Sequence, residues 1–327
     1  MAAPVRLTSA LANFGPNVLP DVYVEARFIR ALRRKLFIAS LGKPSTLPEK
    51  GGKKVRWNIL LKEANFYDDT VADNFTVEGD DPEGGSFTTA KPEVTLIELG
   101  RTYDYSKFMQ LTAVSGTLDE VIDEVGHQAG AIIDRKAGNA LAAATNSTDE
   151  GVSFTAEALR KAVAKLKGAA QTEANRLEVD PHPSTPGGQF YCALLTPEQA
   201  YDMLGEGAPT WVQAKDEQFR RALTTPFMDD YSSELYGAIV KVTNNIPRVT
   251  GPVPDDEVAE VFGKDALLTA ALDTSVIQPR VIITPPESKT DAPARNRGTI
   301  AWWALFEAVI SEQQRVQEIV TDATGIG

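Results

Sequence analysis

Two neighbouring segments of opposite charge dictate much of what this 327-residue chain can fold into. From Arg27 to Lys62 there are eleven Lys or Arg and one acid, Glu49, whereas from Glu63 to Leu99 there are ten acids and one lysine, Lys91. Strand-like runs flank the acidic stretch. Val55, Trp57 and Ile59 alternate with Arg56 and Asn58 in KVRWNILL, and EVTLIELGRTYDYS alternates again on the far side. Residues 61–92 between them are rich in Asp, Gly, Pro and Thr. The economical interpretation is a long antiparallel hairpin over 51–100 with a polar tip, reaching out roughly 60 Å at a rise near 3.3 Å per residue. Such an excursion buries too little of itself to be stable alone. It needs a partner.

The rest of the chain reads as an α+β protein. Residues 1–50 comprise an extended arm at 1–20, broken by Pro4, Pro16 and Pro20, and then a basic amphipathic helix. In that helix Val24, Phe28, Leu32 and Leu36 form the apolar stripe, with Ile29 and Phe37 beside them, and Arg27, Arg30, Arg33, Arg34 and Lys35 fill much of the remainder. Gly42, Pro44 and Pro48 end it. After the hairpin, residues 101–152 contain the clearest helical pattern, Thr117 to Asn146, about 45 Å long at 1.5 Å per residue. Thr117 and Glu120 make its capping box. Gly126, Gly130 and Gly138 share a stripe, which fits either close passage of another backbone or chance in an Ala/Gly-rich helix.

Residues 153–270 look like a separate α/β module with two helices (TAEALRKAVAKLKGAA and TPEQAYDML) and two strands (FYCALL and YGAIVKVTNN). Residues 271–327, with GTIAWWALFEAVI and the alternating RVQEIV, are expected to rejoin the long-helix module as core strands.

Few residues point to chemistry. His127 falls inside the long helix and His182 in a turn-rich loop, and neither belongs to a cluster with metal-ligand spacing. GEGAPT has Thr210 where a dinucleotide fingerprint needs its third glycine, and Gly263–Lys264 lacks the rest of a phosphate loop. No nucleophile-elbow motif occurs. Glu78 to Gly85 reads as a solvated acidic turn, or as a Ca²⁺ loop without EF-hand spacing. One cysteine, Cys192 in an apolar run, excludes an intrachain disulfide framework and reads as a buried thiol. The net charge of −12 argues against nucleic-acid binding over the whole surface, though not on one basic face. No segment reads as a signal peptide or a membrane span, and an intracellular origin is expected. The Asn74 and Asn146 glycosylation matches are then chance occurrences. No catalysis, cofactor or metal is expected.

Several stretches together carry a family resemblance: LGKPSTLPEKGGKKVRWNILL before the hairpin, TVEGDDPEGG within it, the run from LGRTYDYSKFMQL through GTLDEVIDEVGHQAGAIIDRKAGNAL after it, and RNRGTIAWWALFEAVI near the end. Their order resembles the major capsid proteins of tailed phages with the Hong Kong 97 fold, and more narrowly the subgroup named after coliphage N-four. The resemblance implies an extended loop at 51–100 and a peripheral domain with a spine helix at 101–152. It implies an axial domain at 153–270 and a return to the peripheral domain at 271–327. It also implies a structural role, in which hexamers and pentamers of the chain close an icosahedral virion shell around double-stranded DNA, assembled in the host cytoplasm. Scaffolding, portal and decoration proteins are further implied partners. The arm is too short for a long cleavable scaffolding segment. Lys91 lies on the hairpin, but no signature marks it for an isopeptide crosslink.

Within that resemblance the charge reversal acquires a use. The basic set Arg27, Arg30, Arg33, Arg34, Lys35, Lys50, Lys53, Lys54 and Arg56 can receive a neighbour's Asp68, Asp69, Asp73, Glu78, Asp80, Asp81 and Glu83. Alternatively the basic helix faces the genome, or the two blocks neutralise each other within one subunit. Rival functions are an encapsulin-type compartment shell, a soluble α/β enzyme with a mobile acidic lid at 63–99, and another virion part that forms a ring or tube.

Overall fold

The computed structural model describes residues 21–47, 52–60, 89–106, 117–168, 178–205, 232–247, 256–272, 279–284 and 297–322. The arm at 1–20, Lys50 and all seven acidic candidates from Asp68 to Glu83 lie outside these residues.

The helices are α1 (Asp21–Arg33), α2 (Ile38–Leu41), α3 (Thr117–Leu141), α4 (Ala156–Leu166) and α5 (Pro197–Gly205). The strands up to α3 are β1 (Lys43–Leu47), β2 (Lys54–Arg56), β3 (Ile59–Leu60), β4 (Thr89–Ala90), β5 (Glu93–Thr95) and β6 (Ile97–Ser106). After it come β7 (Ser147–Asp149), β8 (Tyr191–Leu195), β9 (Ser232–Leu235), β10 (Ala238–Val242), β11 (Asp256–Phe262), β12 (Leu267–Leu272), β13 (Arg280–Thr284), β14 (Arg297–Ile310) and β15 (Val316–Asp322).

A five-stranded sheet is organised by β14. Antiparallel β6 runs along one edge, from Ser106 opposite Arg297 to Ile97 opposite Phe306. β12 and β13 follow one another along the other edge, and β1 adds parallel to β12. Side chains alternate across a strand, and β14 obeys this over its whole length. Ile300, Trp302, Ala304, Phe306, Ala308 and Ile310 are buried, and the residues between them are half-buried. The buried set meets α3, whose Ile122, Val125, Ala129, Ile133, Ala137 and Leu141 form the apolar stripe, and α1 closes the layer with Val24, Phe28 and Leu32.

The glycine stripe of α3 is explained by close backbone approach. A Cβ on Gly126 would meet the Phe28 carbonyl oxygen at 2.8 Å, one on Gly130 the Leu32 oxygen at 2.6 Å, and one on Gly138 the Asn245 oxygen at 2.5 Å. The helix stops at Leu141, five residues short of the end its sequence pattern suggests. There the Thr145 amide donates to the Gln313 side chain and the Asn146 carbonyl accepts from Glu318, which turns the chain into β7 beside β15.

The six-stranded mixed sheet has the order β7–β15–β11–β8–β10–β9. β9 and β10 form a tight hairpin through Tyr236 and Gly237, both at positive φ. Ala259, Val261 and Ile319 pack on α4, whose N-cap Thr155 accepts from the Ala158 amide. The placement of β15 corrects one expectation. RVQEIV does not rejoin the long-helix sheet; it pairs with β11 and β7 in the middle of the second sheet. Its period-2 pattern suits any half-buried strand and carries no partner information. Conversely β12, partly inside the 153–270 module by sequence, belongs to the first sheet.

Candidate assembly surfaces

The hairpin is anchored by its own arms. Lys54, Val55 and Arg56 oppose Thr95, Val94 and Glu93, and Ile59 and Leu60 continue in the same register opposite Ala90 and Thr89. Val55, Leu96, Trp57 and Val94 pack on Ala270 and Leu47. Ala270 pairs with Glu307, so it points to the face of the sheet opposite Ile300 and Trp302. The hairpin base therefore lies on one face of the five-stranded sheet, and α1 and α3 lie on the other. Beside the hairpin base, the same face leaves Ala301, Trp303 and Leu305 half-buried and Ile282 51 % exposed.

Three of the basic candidates are engaged inside the chain. Arg27 grips Asp123 with two nitrogens, at 2.8 and 2.7 Å, and reaches Asp119 at 2.8 Å. Its hydrogen bond is the main reason Asp123 titrates below the usual carboxylate range. Lys54 and Arg56 converge on Glu93 at 3.2 and 2.7 Å, and the Arg56 bond, then that of Lys54, lowers the Glu93 pKa. These pairs are exposed and contribute little to stability. Arg30, Arg33, Arg34, Lys35 and Lys53 are exposed and make no ion pair among the described residues. Asp119, Asp123 and Glu93 were not singled out as partners from the sequence. The i, i+4 spacing of the two aspartates on α3 was the available signal, but nothing local links it to a helix about ninety positions earlier.

Several buried polar groups tie the two sheets together. Asp134 is fully buried and accepts from the amides of Phe37 and Ala39 and from the Asn245 side chain, at 2.8, 3.0 and 2.7 Å. Burial raises its pKa against the pull of these donors. His182, 2 % exposed, takes the Ser184 amide on Nδ1 and meets the Leu41 carbonyl through Nε2 at 2.9 Å, the arrangement of a neutral imidazole. Burial holds its pKa down. Cys192 is buried, its thiol pushed up to about 12, as suits an inert core residue. Among the described residues no group of three or more His, Cys, Asp or Glu could hold a metal ion, and no helix is long and apolar enough to cross a membrane.

No protein-family model and no curated protein matches the chain. Solved structures do. The capsid protein of Ralstonia phage GP4 superposes with a TM-score of 0.68 at 13 % identity, covering 89 % of each chain. The capsid protein of cyanophage Pam1 gives 0.61 at 13 % identity, covering 99 % of this chain and 100 % of that one. A virus-like particle from Pyrococcus furiosus gives 0.53 at 10 % identity over 92 % of this chain and 100 % of its own. At such identities the likeness speaks for the backbone, and the backbone is the Hong Kong 97-type fold of phage major capsid proteins.

Proposed function

We propose that the chain is a major capsid protein, a structural subunit whose copies close an icosahedral shell around packaged double-stranded DNA. The observation that carries this is the agreement of fold with phage capsid proteins over nearly the whole length of both chains. The surfaces are consistent with it. An apolar strip of Ala301, Trp303, Leu305 and Ile282 beside the hairpin base is what a subunit keeps for its neighbours. A hairpin reaching onto another copy is a heterologous contact, the kind that propagates into rings and shells. The acids Asp68 to Glu83 would set its register on the neighbour, with buried area supplying the affinity. The role requires no catalysis. The fold is shared with a virus-like particle, so a compartment shell is the second reading, and the deeper backbone agreement with the phage capsids favours the first.

Replacing Ile282 by Asp tests the reading. The side chain is half exposed, so the subunit should melt within a few degrees of wild type while particles disappear from sedimentation profiles. Particles that form as before would remove this face from the assembly.

A further inference from the structure

We propose that Arg30, Arg33, Arg34 and Lys35, at the end of α1, form a contact surface for the phosphate backbone of duplex nucleic acid; the inference rests on the shell reading above. The apolar stripe of α1 docked on α3 leaves all four cations exposed. Arg27, one turn earlier, is taken up by Asp119 and Asp123, Lys54 and Arg56 by Glu93, and Lys43 by Asp265. The four make no ion pair among the described residues, in a chain whose net charge is −12.

Their position decides what they meet. α1 and α3 run side by side in the same direction, since Arg27 meets Asp119 and Asp123 while Leu32 passes Gly130. The acidic first turns of α3 therefore sit at the Arg27 level, and the four cations come later, at the end of α1, with Arg34 still near enough to Asp123 to help hold its pKa down. Glu25, an exposed acid of α1, also lies toward that acidic end. A further cation borders the same corner: Lys241 stacks over the Phe37 ring at 4.9 Å.

This corner is on the helix side of the five-stranded sheet, whereas the hairpin base is on the opposite side. In a shell one subunit thick, every copy turns the same face inward. A neighbour's hairpin base lies on the other side of its sheet from these cations, and the enclosed nucleic acid is the polyanion proposed to meet them. Arginine forks suit phosphate oxygens, and such contacts read no sequence.

The test compares wild type with R30Q/R33Q/R34Q/K35Q and with R30K/R33K/R34K, which keeps the charge. Binding of a 30-base-pair duplex to full-length unassembled subunits is followed by fluorescence anisotropy between 50 and 200 mM NaCl. The same proteins are imaged for particles by electron microscopy. Each neutralised phosphate contributes about −0.9 to the slope of log affinity against log salt. The glutamine variant should lose at least about tenfold in affinity at 50 mM and up to about 3.6 from the slope, with unchanged melting and particle formation. The lysine variant should bind within a few-fold of wild type. Identical duplex curves for wild type and the glutamine variant would overturn the inference. If that variant also stopped forming particles, the cluster would be a contact between copies, and the shell reading would stand. A wild type that forms no particles even when expressed with its candidate scaffold overturns the shell reading itself, whatever the duplex curves show.

Discussion

Glu260 is the residue that costs this fold most visibly. It is fully buried on β11 directly opposite Glu318 on β15, and no donor reaches either of its oxygens. Burial first, and then the Glu318 carboxylate, push its pKa well above the ordinary range, so the folded protein keeps this proton where an unfolded chain has lost it. Above the ordinary carboxylate pKa the native state binds more protons than the unfolded one, and stability must fall as pH rises. Glu260→Gln should leave stability nearly unchanged near pH 4. It should flatten the decline above pH 5 by up to about 1.4 kcal/mol per pH unit, read from urea titrations at several pH values. Parallel declines for the two proteins would mean that Glu260 does not hold the proton. Asp134 is the opposite case, a buried carboxylate with three donors. Asp134→Ala strands those donors and should cost about 3 kcal/mol, whereas exposed Asn139→Ala on the same helix should be close to neutral. Equal losses would show that the Asp134 bonds contribute nothing beyond helix packing.

At the scale of elements, the α1–α3 pair is held by shape as much as by burial. Gly130 lets the Leu32 carbonyl come within what would be 2.6 Å of a Cβ, and backbone cannot move aside as a flexible side chain would. Gly130→Ala should therefore destabilise by about 2 kcal/mol despite alanine's better helix propensity. A gain in melting temperature would show that α1 is free to shift. Much of this level was legible in the sequence. The stripes of α1 and α3 follow from their 3.6-residue period, and the paired hairpin arms from alternation on either side of the acidic stretch. What was not legible is which strands become neighbours. β1 with β12 and β8 with β10 are parallel pairs between distant segments, and β15 went to a sheet its pattern could not specify. Helix length failed for a related reason: beyond Leu141, Gln313 and Glu318, far along the chain, claim the Thr145 amide and the Asn146 carbonyl that a longer helix would have used.

At the scale of the whole molecule, the five-stranded sheet separates two kinds of surface, a hairpin on one side and a pair of helices with exposed cations on the other. The charge reversal that dominates the sequence thus becomes an arrangement in space, with the helical beginning of the basic block turned away from the hairpin base. Sequence alone supplied the candidate residues and left three uses open for them. It could not show that Arg27, Lys54 and Arg56 are spent inside the subunit, because their partners Asp119, Asp123 and Glu93 are brought near only by folding. The central claim is that copies of this chain build a shell. Negative-stain electron microscopy of the protein expressed with its candidate scaffold, with sedimentation on the same sample, addresses it directly. The account predicts closed polyhedral particles or rings of five and six subunits. A uniform population of monomers or dimers would contradict it.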